Sequence, residues 1–518
     1  MTDESKPAAP ADETAQIGRG ALYLTMTKLY FIVGSYAIYF GLPRLGGIRG
    51  DALFSDYKKV GALLSIIGTV LVMGTTQAIA RFVGKEPHKA RGIARRGLML
   101  QMGFGALIAG GYFLIAPLIA RDDALVDAIR ISALIPFVYA MYSVFMGTLN
   151  GEKRFAEQAL MDGGFTTLKI VCVLGFVAVF QTAAGGYAGF AVAACAVFVS
   201  SGLIVRRGHR SKDLDIGADP SGKSLFLFQI QTVGFMLVVQ SIVQLDIWYV
   251  DWWGGWDESR SLMLGEGESL TQAQAAGALY GSAQLFSQIS YSVVISLTFV
   301  LFPLISGLGE DVAAARRYVR EAVRYALIMV VGVAAVLTAT PANTLDLLLR
   351  SFSQARELVP GGEEALRWLG LGYVSFSVLF VLCAVLNAAG RPRQSILLML
   401  IVLCVQVGLG YLWLPQHGIV GQGVAGLVGM SVGLAVGLWF MARWIGNVFP
   451  IATCVRVLIA GAAVYAIGML WHPDGKMITL VRCVACGALY LLLVVVMREF
   501  QKADLEKFRK VLPGGKKA

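Results

Sequence analysis

Charged residues, histidine and cysteine are all scarce in this sequence. Only 15% of its 518 residues are Asp, Glu, Lys or Arg, and it contains 4 His and 7 Cys. The histidines fall in different polar connectors, and the cysteines fall in apolar segments with no histidine beside them. Because metal and redox sites need such residues close together, the sequence predicts no metal site and no bound cofactor.

Long polar segments are also missing. The composition is 57% hydrophobic, and the apolar residues form long blocks separated by short connectors. The longest connectors on the predicted outer side, roughly residues 251–272 and 342–364, hold about 20 residues each. A soluble catalytic domain needs a much longer segment, so we expect a protein that is not an enzyme.

The apolar blocks predict an all-α membrane protein. A helix of about 20 apolar residues is long enough to cross a bilayer, and by that measure the chain has about 14 transmembrane helices. They are expected at roughly 20–42, 60–82, 97–120, 128–149, 160–180, 185–206, 225–250, 273–305, 322–341, 365–388, 394–414, 418–442, 451–471 and 477–497.

The net charge of +11 reflects where the basic residues lie. With the N-terminus inside, the inner segments hold about 30 Lys and Arg and the outer loops hold about 12. Short cytoplasmic loops of membrane proteins carry this excess of positive charge. We therefore expect both termini in the cytoplasm, and we expect no nucleic-acid partner.

One segment imitates a nucleotide-binding loop. Residues 217–224 read "GADPSGKS", which fits the pattern G-x-x-x-x-G-K-[ST] with Lys223 in the key position. A phosphate-binding loop of this kind needs a buried strand before it and a soluble helix after it. Here a polar connector precedes the motif and a membrane helix follows it, so we interpret the match as a coincidence.

The two halves of the sequence resemble each other. "LNGEKRFAEQALM" from residue 149 matches "LNAAGRPRQSILLM" from residue 386, which puts Asn387 237 positions after Asn150. "AGFAVA" and "AGLVGM" match at the same offset. The pattern predicts two pseudo-symmetric six-helix lobes that enter the membrane in the same direction, with two additional C-terminal helices.

This repeat defines the expected organisation and mechanism. Transporters built from parallel repeats alternate access between two lobes. The expected segments are a disordered tail (1–19), an N-lobe (20–206), a cytoplasmic linker (207–224), a C-lobe (225–442), two extra helices (443–497) and a basic cytoplasmic tail (498–518).

Three predicted helices carry polar stripes. Side chains spaced three or four residues apart share one face of a helix, and polar groups are costly against lipid. We expect these stripes to line a hydrated substrate pathway, although interhelical hydrogen bonding is an alternative role. The stripe residues are Lys28, Ser35 and Tyr39 in the first helix, Gln240 and Gln244 in the seventh, and Tyr280, Gln284, Gln288 and Tyr291 in the eighth.

The segments around the eighth helix resemble a known family. "LDIWYVDWW" carries Asp246, and after a loop "AAGALYGSAQLFSQISYSVVISLTFVLFPLIS" contains Tyr280 and ends in Phe302 and Pro303. With "LNAAGRPR", these features resemble the oligosaccharide flippases of the multidrug/oligosaccharidyl-lipid/polysaccharide exporter superfamily. In that family an acidic residue precedes an "AGxY" entry to the eighth helix; here one extra residue, Leu279, interrupts that entry.

The resemblance implies a transporter in the bacterial inner membrane. It would move a polyprenyl-pyrophosphate-linked oligosaccharide to the outer leaflet for polysaccharide biosynthesis, with Asp246 in the substrate pathway. The implied partners are this substrate, membrane lipids and polysaccharide-assembly proteins. A pyrophosphate needs cations, and Lys28 and Lys169 lie inside predicted helices; contact with substrate and snorkelling to the interface both remain open.

Three other functions remain open from the sequence. A cation-coupled multidrug extruder of the same superfamily would carry a carboxylate in the first helix, where this chain has none between Arg19 and Asp51. A lipid II flippase has the same helix count but an arginine-rich cavity. A membrane polysaccharide polymerase or ligase would need a larger outer domain.

Overall fold

The fold consists almost entirely of long helices. The computed structural model describes residues 11–120, 122–208, 222–253, 255–257, 259–265, 268–306, 312–471 and 475–499. A helix forms all of its backbone hydrogen bonds within one segment, so it is the structure that long apolar segments adopt in a bilayer. Close contacts divide the chain into two compact units, which we call the N-terminal unit (Met1–Leu245 and Met263–Leu270) and the C-terminal unit (Asp246–Leu262 and Thr271–Ala518).

The N-terminal unit contains eight helices and part of a ninth among its described residues. In it α7 packs against α1 and α8, while α3 and α4 pack against α6. A π-helical turn, Thr69–Met73, joins α2 to α3 without interrupting the span. The helices are α1 (Ala11–Leu45), α2 (Gly50–Gly68), α3 (Gly74–Lys85), α4 (Ala90–Ile119), α5 (Asp123–Ser132), α6 (Leu134–Gly151), α7 (Phe155–Phe180), α8 (Ala183–Gly208) and α9 (Gly222–Trp252).

The C-terminal unit begins within α9, at Asp246. Its helix α14 packs against α10, α11 and α15, and α16 and α17 pack against α11. Its helices after α9 are α10 (Gln272–Ser306), α11 (Val312–Thr338), α12 (Pro341–Leu348), α13 (Phe352–Leu358), α14 (Gly362–Ala388), α15 (Pro392–Trp444), α16 (Ile451–Leu470) and α17 (Lys476–Val496). Two short strands between α9 and α10, β1 (Ser261–Gly265) and β2 (Glu268–Thr271), belong mostly to the N-terminal unit.

Helix α15 is two spans joined at a break. Its 53 residues are interrupted at Gly418, whose φ of 56° and ψ of −143° are not helical. Pro415 lies just before the break, and proline has no amide hydrogen to donate to the preceding turn. The break separates the predicted eleventh and twelfth helices.

The predicted fold class is confirmed. Among the described residues, 11 helical segments are long and apolar enough to cross a membrane. That number counts both halves of α15 as one segment, and it leaves out α1 and α10, which have 35 residues each. With these included, the described part of the chain contains about 14 spanning helices, as the apolar blocks predicted.

The internal repeat is visible at one turn in each unit. At the end of α6, the Asn150 side chain contacts Gln158, at 3.2 Å. At the end of α14, Asn387 accepts a hydrogen bond from Ser395. Each asparagine therefore contacts the residue eight positions later, in the first turns of the following helix. The residues with positive φ in the two turns, Lys153 and Gly390, are also 237 positions apart.

Several predicted boundaries differ from the structure. Helix α1 begins at Ala11, inside the predicted tail 1–19, of which residues 1–10 lie outside the described part. Helix α2 begins at Gly50, ten residues before the predicted second span. The outer connector predicted at 251–272 holds a two-stranded sheet, and the one at 342–364 holds most of α12 and all of α13.

The predicted segments that join or follow the lobes are only partly described. Most of the linker 207–224 and of the tail 498–518 lies outside the described residues. The contact-based division falls at Asp246, about twenty residues after the predicted start of the C-lobe. The lobe boundaries therefore stay a prediction.

Candidate functional site

A buried carboxylate is the centre of a hydrogen-bonded group in the C-terminal unit. Asp246, near the end of α9, is only 4% exposed. The hydroxyl of Tyr280 donates to its Oδ2 at 2.8 Å, and the amide of Gln284 donates to its Oδ1. Tyr280 and Gln284 are one turn apart on α10, so both face the same carboxylate. A buried charge needs such partners to be tolerated.

The group continues onto other helices of the C-terminal unit. Gln422, on the second half of α15, is 1% exposed and lies beside the side chain of Tyr280. One turn after Gln284, the amide of Gln288 lies 3.4 Å from the hydroxyl of Tyr373 on α14. We call Asp246, Tyr280, Gln284 and Gln422 the Asp246 network. It joins α9, α10 and α15 inside one unit.

The polar stripe of α10 is largely buried in this conformation. Tyr280 and Gln284 are 0% exposed, and Tyr291 is 8% exposed. The ring of Tyr291 lies 5.3 Å from Phe376 and 5.0 Å from Phe380, measured between centroids. Gln288 is half-buried. These contacts within the C-terminal unit agree with interhelical bonding, and a role of the stripe in a substrate pathway stays a prediction.

The other predicted pathway residues lie in the N-terminal unit. Gln240 and Gln244 are half-buried on α9. Ser35 donates a 2.9 Å hydrogen bond to the carbonyl of Phe31 within α1, so its hydroxyl is satisfied locally. The side chain of Lys28 lies outside the described residues.

Tyr39 connects α1 to α2, which carries two buried lysines that the sequence analysis missed. Its ring meets Tyr57 of α2 edge to face, with centroids 6.2 Å apart. The ammonium of Lys58 lies 5.4 Å from the Tyr39 ring centroid, a distance typical of a cation–π contact. Lys58 is 2% exposed and Lys59 is 4% exposed, and Lys59 pairs with Asp56 at 3.6 Å.

These two lysines were assigned to an outer loop because the apolar block begins only at residue 60. A signal for the longer helix is present in "GDALFSDYKK": the apolar residues Leu53, Phe54 and Tyr57 recur at helical spacing. Asp51 at the start of the helix suits its positive end. Hydropathy did not reveal it because the charged residues lower the average of the window.

A third lysine lies among aromatic rings in the middle of α7. The Lys169 ammonium is 4.1 Å from the ring centroid of Phe190 and 5.7 Å from that of Phe31. Lys169 lies near the centre of α7, which runs from Phe155 to Phe180. The predicted span began later, at about residue 160, which put this lysine closer to the inner interface. A role of Lys169 in binding substrate stays a prediction.

Several tyrosines of the N-terminal unit contact one another or a carboxylate. Tyr57 and Tyr187 stack with centroids 4.4 Å apart, and the Tyr187 hydroxyl donates to the carbonyl of Tyr57 at 2.6 Å. Tyr142 donates to Asp162 at 2.8 Å. Cations attract phosphate groups, and aromatic faces with hydroxyl groups suit apolar sugar faces and sugar hydroxyls. The arrangement is chemically suited to an anionic glycolipid.

Two further features concern metal and nucleotide binding. Among the described residues, no group of three or more His, Cys, Asp and Glu is placed to hold a metal ion, and the cysteines are free thiols. Most of the "GADPSGKS" motif lies outside the described residues. Lys223 and Ser224 fall in the first turn of α9.

The fold is one that known membrane transporters share. Its helices form a multi-pass membrane fold of the kind found in transporters of the MOP superfamily, which includes multidrug exporters and lipid flippases. Residues 278–412 match the MatE family model. No curated protein matches the sequence significantly.

Solved structures show the same fold. The inward closed conformation of the lipid II flippase MurJ has a TM-score of 0.69, is 12% identical and covers 93% of this chain and 99% of its own. An inward-facing multidrug resistance MATE family transporter has a TM-score of 0.62, is 18% identical and covers 81% and 98%. A MOP superfamily transporter from Pyrococcus furiosus has a TM-score of 0.56, is 17% identical and covers 84% and 96%.

Proposed function

We propose that this protein is a transporter, not an enzyme, that translocates a polyprenyl-pyrophosphate-linked oligosaccharide across the bacterial inner membrane for polysaccharide biosynthesis. Likeness to a lipid II flippase structure supports the movement of a lipid-linked substrate. The resemblance of the α9–α10 segments to oligosaccharide flippases supports this substrate class. Expected partners are the substrate, membrane lipids and polysaccharide-assembly proteins.

The position of Lys169 on α7 is the main observation that supports this proposal. A lysine near the centre of a spanning helix costs about 2.5–3.5 kcal/mol on insertion scales, and such residues commonly have a functional role. Lys169 is half-buried, and rings of Phe190 and Phe31 lie beside its ammonium. In the proposed mechanism the ammonium attracts the pyrophosphate, while tyrosines of the N-terminal unit contact sugar rings.

The test is complementation of a deletion strain. Lys169→Gln is expected to reduce surface polysaccharide at least tenfold and to accumulate lipid-linked oligosaccharide, whereas Lys169→Arg should retain part of the export. Arg95→Gln is the matched control, because Arg95 is an exposed cation on α4. Normal export by Lys169→Gln and by Lys169→Ala, at wild-type protein abundance, would overturn the proposal.

A cation-coupled multidrug extruder is the second candidate. Support for it comes from the MatE match over residues 278–412 and from the buried carboxylate of Asp246, which could exchange a proton or cation. Expression in a drug-sensitive host separates the two functions. Raised resistance to several cationic drugs, lost in Asp246→Asn, would favour the extruder, and resistance unchanged from the empty vector would exclude it.

A further inference from the structure

One end of the C-terminal unit is a compact surface built from four segments. Gln272, the first residue of α10, connects three of them: its Oε1 accepts the amide of Asp257 at 2.7 Å, and its Nε2 donates to the carbonyl of Leu358 at 3.2 Å. Its own amide donates to the carbonyl of Arg260 at 3.2 Å. The fourth segment is the break of α15. In the predicted topology this end faces the outside.

The first of two cavities at this end lies at the α15 break. Its volume is about 290 Å³, and its lining comprises Trp413, His417, Val420, Gly421 and Val424. The buried ring of Trp256 lies alongside, 3.9 Å from the position that a Cβ would take at Gly418. The indole of Trp256 donates to the carbonyl of Val250 at 2.9 Å, so this ring is fixed.

The second cavity lies along α13. Its volume is about 380 Å³, and it is lined by Phe352, Ser353, Arg356 and Glu357. Arg356 pairs with Glu363 at 3.1 Å, which orients the guanidinium. Each cavity therefore combines an aromatic side chain with hydrogen-bonding groups. Their volumes are near the lower end of the range of about 300–1,000 Å³ found for ligand pockets.

The two cavities are neighbours. Val420 lines the first cavity, and its side chain fills the space where Gly361 would carry a Cβ. Gly361 is three residues after Leu358, the last residue of α13. Its φ of 101° is a conformation that glycine adopts at little cost. The α15 break thus packs against the turn that follows α13, which places the two cavities on adjoining segments of this surface.

The chemistry of the lining identifies the ligand class. The cation of the second cavity, Arg356, is already paired, and Glu357 adds a negative charge, so the surface does not select phosphate. A lipid chain would take the exposed carboxylate of Glu357 out of water without offering it a hydrogen-bond donor. A sugar ring presents an apolar face that can pack on an aromatic ring and hydroxyls that can bond to such groups. If Trp413 and Phe352 only anchored the protein at the membrane interface, they would not need cavities with polar groups beside them.

We propose that these two cavities form a carbohydrate-binding surface that takes neutral pyranose units of an oligosaccharide, with Trp413 and Phe352 as stacking platforms. The surface consists of residues of the C-terminal unit, does not include the lysines of the N-terminal unit, and binds sugar without the pyrophosphate. Its role in transport rests on the proposed function. In a glycan transporter this surface would hold the glycan on the outer side of the membrane, where the glycan is released.

The test is binding of the full-length purified protein to an array of soluble neutral and acidic oligosaccharides. Binding to at least one neutral glycan is expected, with at least tenfold weaker binding for Trp413→Ala and for Phe352→Ala. It should persist at high salt, because charge makes little contribution. Trp439→Ala is the matched control: Trp439 is also on α15 and is 54% exposed, but lines neither cavity. Thermal unfolding confirms that each variant is folded.

Two results would overturn the inference. One is no binding to any neutral glycan by the folded wild-type protein. The other is binding that the two variants retain, or that Trp439→Ala weakens equally. The test is independent of transport, because Lys169→Gln should leave array binding unchanged. Loss of export in Lys169→Gln together with a negative array would remove this site and leave the proposed function intact.

Discussion

The hydroxyl of Tyr280 lies 2.8 Å from Oδ2 of Asp246, and both side chains are buried in the C-terminal unit. Tyr280→Phe removes this donor and keeps the ring. Because hydrogen bonds to charged groups contribute about 1.5–3 kcal/mol, we expect a stability loss of that size in chemical or thermal unfolding of the purified protein.

Tyr291→Phe is the matched control for that measurement. Tyr291 is on the same helix and is also buried, but its ring packs against the rings of Phe376 and Phe380. Removal of its hydroxyl in Tyr291→Phe should therefore change the free energy of unfolding little. Equal losses in the two variants would show that the hydrogen bond to Asp246 does not stabilise the unit.

Helices α7 and α8 approach closely at Gly189. A Cβ at this position would overlap the backbone carbonyl of Cys172, which cannot move aside as a side chain can. Gly189→Ala is therefore expected to destabilise the N-terminal unit by about 1–3 kcal/mol, the usual cost of overpacking. Gly175→Ala is the control, since a Cβ there would meet nothing within 4 Å. Similar unfolding of the two variants would contradict the packing described.

Cysteine labelling tests the predicted pathway in a background without native cysteines. Gln284 is 0% exposed, whereas Gln240, Gln244 and Gln288 are half-buried. In the conformation described here, a hydrophilic thiol reagent should label Cys at 240, 244 and 288 faster than Cys at 284. Faster labelling at 284 when substrate is added would support a pathway that opens. If all four positions are protected from the reagent under every condition, these residues make interhelical contacts and do not line a pathway.

The predicted topology can be checked with reporter fusions. Fusions at residues 260 and 352 should read as external, and fusions at 215 and 312 as cytoplasmic, because short inner loops carry the excess of basic residues. A single clear inversion would refute both the orientation and the parallel repeat. It would also move the proposed carbohydrate-binding surface to the cytoplasmic side.

Lys223 tests whether the apparent nucleotide motif has a function. It lies in the first turn of α9, next to a spanning segment, and a phosphate-binding loop needs an α/β core around it. Lys223→Ala should leave export unchanged at normal protein abundance. Loss of export by this folded variant would show that the motif has a role.

The sequence by itself determined the number of spanning helices, their order and the internal repeat. Apolar length is a local property, and the bilayer requires about 20 residues for each crossing whatever the helix packs against. The repeated turns were readable too: Asn150 and Asn387 stand at matching positions in "LNGEKR" and "LNAAGR", and each contacts the next helix eight residues later. Such turns are encoded within a few residues.

Only the tertiary structure decided where the charged side chains lie. Lys58 and Lys59 resembled loop residues, yet α2 buries them beside Tyr39 and Asp56. Asp246 was predicted in a pathway, and the structure surrounds it with donors from α10. Burial of a charge depends on partners that are distant in sequence. Periodicity shows which residues share a helix face, but not which partners that face meets.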